Sequence, residues 1–157
     1  MKKLLLAILI ITFHVAVFAQ SGAGWEWASI SGVAAAPSSE PADLAVDANG
    51  NTYAVGQYST AITLGSYSLP APTGRDIFIV KYNAAGVVQW LKRHTPPTGY
   101  NELSKVITVD ATSNFYIGGT DDTPTLSGRA FLAKYDTNGN MLWNKFLTLY
   151  EVCGINI

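Results

Sequence analysis

Beyond its first twenty residues the chain carries its apolar side chains in short runs that alternate with polar ones, each run bounded by glycine, asparagine or aspartate. Asn51-Thr-Tyr-Ala-Val-Gly56 and Asn114-Phe-Tyr-Ile-Gly-Gly119 are two such runs, and Asp76 to Tyr82 and Ala130 to Tyr135 continue the pattern. A period of two places successive side chains on opposite faces of a strand, so each run predicts a β-strand with one buried face. No segment outside the N-terminal leader has a helical period. Asn49-Gly50 and Asn138-Gly139 fall between runs, where a tight turn needs residues that tolerate positive φ. The predicted strands of a first unit are 42–47, 52–58, 77–82 and 87–94. Residues 62–69 predict a small additional hairpin before the Pro70-Ala-Pro72 break.

The runs form a repeat. Phe78, Lys81-Tyr82, Gly86 and Trp90 recur as Phe131, Lys134-Tyr135, Gly139 and Trp143 at an offset of 53, and Leu44, Asp47, Tyr53 and Gly56 recur as Ile107, Asp110, Tyr116 and Gly119 at an offset of 63. The difference of ten places an insertion in the first unit between Gln57 and Arg75. Trp27 precedes Asp47 by 20 residues, as Trp90 precedes Asp110, so Trp25-Glu26-Trp27 reads as the last strand of a partial third unit. Four antiparallel strands recurring every 50–60 residues with a tryptophan at a fixed place predict an all-β chain of β-propeller type. It holds two four-stranded blades plus a partial one, an open array rather than a closed ring. Trp90, Trp143, Phe78 and Phe131 are the expected packing wedges between blades. The alternative is a β-sandwich. The predicted organisation is 1–19 leader, 20–41 partial blade and linker, 42–94 first blade, 95–147 second blade and 148–157 tail.

The leader changes the picture of compartment. Lys2 and Lys3 precede an apolar run from Leu4 to Phe18, and Val17-Phe18-Ala19 presents small residues at the positions an export peptidase reads, which predicts a signal peptide cleaved after Ala19. The expected location is outside the cell or on its surface. Loss of the two lysines leaves eight basic and eleven acidic residues, a net charge of −3. That balance excludes a nucleic-acid grip. Lys92-Arg93-His94 is the one basic cluster, read as a solvated strand end or an edge guard. The single thiol, Cys153, has no intramolecular partner for a disulfide.

Asp76-Ile-Phe-Ile-Val-Lys-Tyr82, Gly86 and Trp90 match the pattern D-I-F-[IV]-x-K-[YL]-x-x-x-G-x-x-x-W, and with Ile62 to Leu69 upstream the segment resembles the SBBP family, a β-propeller repeat of secreted bacterial proteins. The second unit departs from it at Ala130 and Leu132. The resemblance implies a secreted or surface propeller and carries no catalytic residues.

Candidate chemistry is sparse. Asp47, Asn49 and Asn51, and again Asp136, Asn138 and Asn140, share the D-x-N-x-N opening of a calcium loop, but the twelfth positions are Tyr58 and Leu147 where a bidentate glutamate is required. A hairpin turn is the competing reading. Asp136 to Trp143 approaches the tryptophan-docking motif of quinoprotein dehydrogenases, one residue short and without its threonine-glycine pair, which makes a quinoprotein-like oxidoreductase the enzymatic alternative. Asp121-Asp122 and Glu102 are candidate paired carboxylates, although neighbours on a strand point to opposite faces. His94 is the one histidine beyond the leader. The expectation is a non-enzymatic module for binding or structural roles, with no catalytic site and no required cofactor. Its partners would be an unknown protein or glycan, further blades or a second copy. Tyr58, Tyr67 and Tyr100 are the candidate ligand contacts, on segments 57–75 and 96–102.

Overall fold

A computed structural model describes residues 39–94, 102–121 and 128–147. The predicted leader, the Trp25–Trp27 strand, Tyr100, Asp122 and Cys153 lie outside the described residues.

Ten strands follow in order: β1 (Ser39–Val46), β2 (Thr52–Tyr58), β3 (Ile62–Leu64), β4 (Tyr67–Leu69), β5 (Asp76–Tyr82), β6 (Val88–Arg93), β7 (Glu102–Val109), β8 (Phe115–Asp121), β9 (Arg129–Tyr135) and β10 (Met141–Phe146). They form two four-stranded antiparallel sheets, β1-β2-β5-β6 and β7-β8-β9-β10, and the two-stranded β3-β4 hairpin. Both large sheets run through their strands in chain order, and the insertion of the first unit is the hairpin. The described residues are all-β, and they form no closed ring.

Strand β1 begins three residues earlier than the alternation predicts. Ser39, Glu40 and Pro41 pair with Tyr58, Gln57 and Gly56 before a bulge shifts the register at Asp43. Pro41 offers no N–H, and it stands on an edge strand where none is needed. The second unit repeats the bulge between Ser104 and Val106. Both bulges push a carbonyl over a glycine: a Cβ on Gly56 would sit 2.3 Å from the Glu40 oxygen, and one on Gly119 would sit 2.1 Å from the Leu103 oxygen. The Phe78 and Phe131 rings cover the same two glycines on their free side. This explains why Gly56 and Phe78 recur together as Gly119 and Phe131.

Each sheet has a tryptophan face and a phenylalanine face. Tyr53, Lys81 and Trp90 lie across from one another in the first sheet, as Tyr116, Lys134 and Trp143 do in the second. The sheets pack by unlike faces. Tyr53, Val55, Ile77 and Ile79, from the tryptophan face of the first, join Ile107, Phe115, Ile117, Phe131 and Tyr135, from the phenylalanine face of the second, in one core. Each fully buried aliphatic or aromatic side chain there contributes about 1.5–3 kcal/mol. The phenylalanine face of the first sheet packs instead under its own insertion, with Phe78, Val80 and Tyr82 against Ile62 and Leu64. Of the four expected wedges, Trp90 and Phe131 are therefore in the seam. Phe78 is under the hairpin, and Trp143 meets Tyr116 on the open face of the second sheet.

Candidate functional site

The seam between the sheets is polar at both ends. At the turn end, Asp47 Oδ1 accepts the backbone N–H groups of Asn49 and Asn51 at 2.9 Å each, and Asn51 donates its side-chain amide to Oδ2. Asp136 makes the same three bonds with Asn138 and Asn140. Asp110 caps a third turn through Thr112 and Asn114, and Asn83 caps a fourth through Ala85 and Val87. The expected D-x-N-x-N segments are thus hydrogen-bonded turns whose carboxylates are engaged with donors of the same turn. Burial alone would raise the Asp47 carboxyl, but bonds from Asn51 and Asn49 hold it below the usual range.

These turns also lock the sheets together. Lys81 Nζ donates to Thr137 Oγ1 at 2.9 Å and to the Thr137 carbonyl at 3.3 Å, and the Tyr53 hydroxyl meets Thr137 Oγ1 at 2.9 Å. Lys92 Nζ donates to the Asn138 carbonyl at 2.7 Å. Gly139 lies so close to the Trp90 ring that a Cβ there would stand 3.1 Å from it. One turn of the second unit is held by a four-residue clamp, Tyr53, Lys81, Trp90 and Lys92, on the first.

At the opposite end a cluster of ionisable groups is buried. Register places Glu102 directly across from Asp121, and Asp121 across from Arg129. Asp121 pairs with Arg129 at 2.7 Å, and Asp76 pairs with Arg93 at 2.5 Å. Glu102 is wholly buried, and among the described residues neither of its carboxylate oxygens has a hydrogen-bond partner. Burial, reinforced by Asp76 and Asp121, pushes its carboxyl up to about 9. His94, stacked on Phe131 and hydrogen-bonded through Nδ1 to the Tyr135 hydroxyl, is pushed down to about 4 by burial. At neutral pH both are therefore uncharged. Burial raises Asp76 too, and Arg93 offsets this only in part.

The sequence reading of Lys92-Arg93-His94 as a solvated strand end or edge guard is corrected at its last residue, while Arg93 is exposed on β6, an edge strand. Lys92 clamps a turn, Arg93 pairs with a buried carboxylate and His94 is fully buried. Glu102 and Asp121 are brought together, and both are fully buried. Among the candidate contacts, Tyr58 is a core residue at 1% exposure, with its hydroxyl pushed up to about 12 by burial. Tyr67 is 37% exposed on the hairpin and does not line the apolar groove of about 200 Å³ that Ala54, Leu64 and Phe78 help to form between β3 and the first sheet. Among the described residues no three His, Cys, Asp or Glu side chains gather in a way that would hold a metal ion. The clamp was missed at sequence level, although its repetition signals it: all four residues recur.

No protein-family model matches the chain, and no curated protein matches it.

Proposed function

We propose that this chain is a non-catalytic repeat module of β-propeller type, exported through its N-terminal leader, that serves binding or structural roles at or outside the cell surface. The observation that supports it is the use of unlike faces in the seam. Two sheets closing on each other as a sandwich can satisfy their apolar faces by matching like with like. Packing the tryptophan face of one unit on the phenylalanine face of the next is a heterologous contact, which can repeat from unit to unit and closes into a ring where the rotation allows, or continues as an open array where it does not. Consecutive blades of a propeller would use a contact of this kind. The equal placement of bulges, turns and clamp residues in both units supports the same reading, as does the resemblance to secreted bacterial propeller repeats.

Residues 20–157, incubated with a panel of soluble glycans and with a quinone cofactor, provide the test. A binding module shows a rise in thermal midpoint with a glycan and no turnover. Quinone-dependent dye reduction that disappears in Trp143→Ala would replace this reading with the oxidoreductase one.

A further inference from the structure

We infer that the open tryptophan face of the second sheet is a docking surface for a further four-stranded unit of the same repeat, held through an Asx turn. The inference rests on the head-to-tail reading above and adds to it the partner and the residues that hold it. Tyr53, Lys81, Trp90 and Lys92 grip the 136–140 turn of the neighbouring unit, and every one of them recurs on the second sheet, as Tyr116, Lys134, Trp143 and Lys145. The geometry recurs with the residues. Lys81 lies over the Tyr53 ring at 5.0 Å and Lys134 over Tyr116 at 4.7 Å; Lys92 lies over Trp90 at 5.7 Å and Lys145 over Trp143 at 5.6 Å. What differs is the cover. Tyr53 is fully buried, whereas Tyr116 is half-buried, Lys145 is exposed, and Lys134 turns to Asp110 at 3.3 Å rather than to a threonine of a facing turn.

The arrangement specifies its occupant. Two lysines set to donate to backbone carbonyls and a side-chain oxygen, beside a tryptophan that leaves room for a glycine, fit a D-T-N-G turn on a flat aromatic and aliphatic sheet face. Among its described residues a second copy of this chain offers no such surface. Its first sheet has the matching face under the β3-β4 hairpin and carries Ala84 where Thr137 stands, and the matching face of its second sheet is already covered by the first. Two tryptophan faces meeting each other would set four lysines, two from each copy, into one interface.

The test is an extended chain in which residues 95–147 are repeated once after Leu147, which keeps the offset of 53. Lysine acetylation is read by mass spectrometry in the original and extended chains, with exposed Lys105 as the reference. In the original chain Lys81 and Lys92 should react slowly and Lys134 and Lys145 faster; in the extended chain Lys134 and Lys145 should fall to the rates of Lys81 and Lys92. A Trp143→Ala change in the extended chain should restore their reactivity. Unchanged Lys134 and Lys145 rates, or an added unit that stays protease-sensitive, would overturn the docking surface. Rapid reaction of Lys81 and Lys92 in the original chain would instead overturn the head-to-tail seam itself.

Discussion

Replacing Glu102 by glutamine removes a buried carboxyl that the fold keeps protonated at neutral pH. The side chain is completely buried at the start of β7, faces Asp121 across the strand pair, and interacts electrostatically with Asp76, Arg93 and Tyr135. The folded chain holds the Glu102 proton up to about pH 9, whereas the unfolded chain releases it near 4.5. Folding therefore takes up a proton between these values, so the stabilisation present below pH 4.5 is lost progressively as the pH rises towards 9. His94 acts in the other direction: its folded value of about 4 lies below 6.5, so it costs stability as the pH falls from 6.5 to 4. Above pH 6.5 the Glu102 contribution stands alone of these two. One proton corresponds to about 1.4 kcal/mol per pH unit, so the original chain should lose roughly 2–3 kcal/mol between pH 6.5 and 8.5. Glu102→Gln, neutral throughout and close in shape, should lose less than about 1 kcal/mol over that range. Urea unfolding followed by fluorescence at half-unit pH intervals measures both curves. Parallel losses in the two chains would show that Glu102 is ionised in the folded state, and the buried cluster would need another account.

Gly119→Ala should destabilise the chain by about 2 kcal/mol or more, because its Cβ meets the Leu103 carbonyl at 2.1 Å and the Phe131 ring at 2.9 Å; a thermal midpoint within error of the original would refute the close approach. Phe115→Ala, which empties a fully buried site against Tyr53, Trp90 and Tyr135, should cost about 3–5 kcal/mol. Trp143→Ala, on the open face, should cost much less, and equal losses from the two in denaturant titration would contradict their placement. Asp47→Ala should cost about 1–2 kcal/mol through the lost turn bonds. Because the Asp47 carboxyl is held below 3.8, that difference should be present above this value and shrink as the pH falls through the lowered one.

The strands and their units were legible in the sequence because the demands that form them are local and occur twice. A bulge that drives a carbonyl over a glycine, with a phenylalanine on its other side, leaves a glycine and a phenylalanine at matching places in both copies. The asparagine-glycine and aspartate turns are readable for the same reason, since the bonds that cap each turn come from residues two and four positions on. Which faces meet was not legible: Lys81 and Thr137 are 56 residues apart, and nothing local tells a lysine of one unit that it will reach the turn of the next. The burial of the ionisable cluster was hidden likewise, although Glu102 and Asp121 were candidates for a pair. Glu102 and Asp121 become neighbours only through the register of β7 and β8, which the bulge near Lys105 sets. Arg93 and His94, adjacent in sequence, point to opposite faces and meet different sheets, so a run that looks like one basic patch has three separate destinations.

Nuclear Overhauser contacts between ring protons, in a sample of residues 20–157 with labelled aromatic side chains, test the packing of unlike faces most directly. Tyr53 and Phe115 have ring centroids 5.1 Å apart, and His94 and Phe131 4.9 Å apart, so both pairs should give cross-peaks. Contacts of Tyr53 with Tyr116, or of Trp90 with Trp143, in place of these would mean that like faces meet, and the head-to-tail account would be wrong.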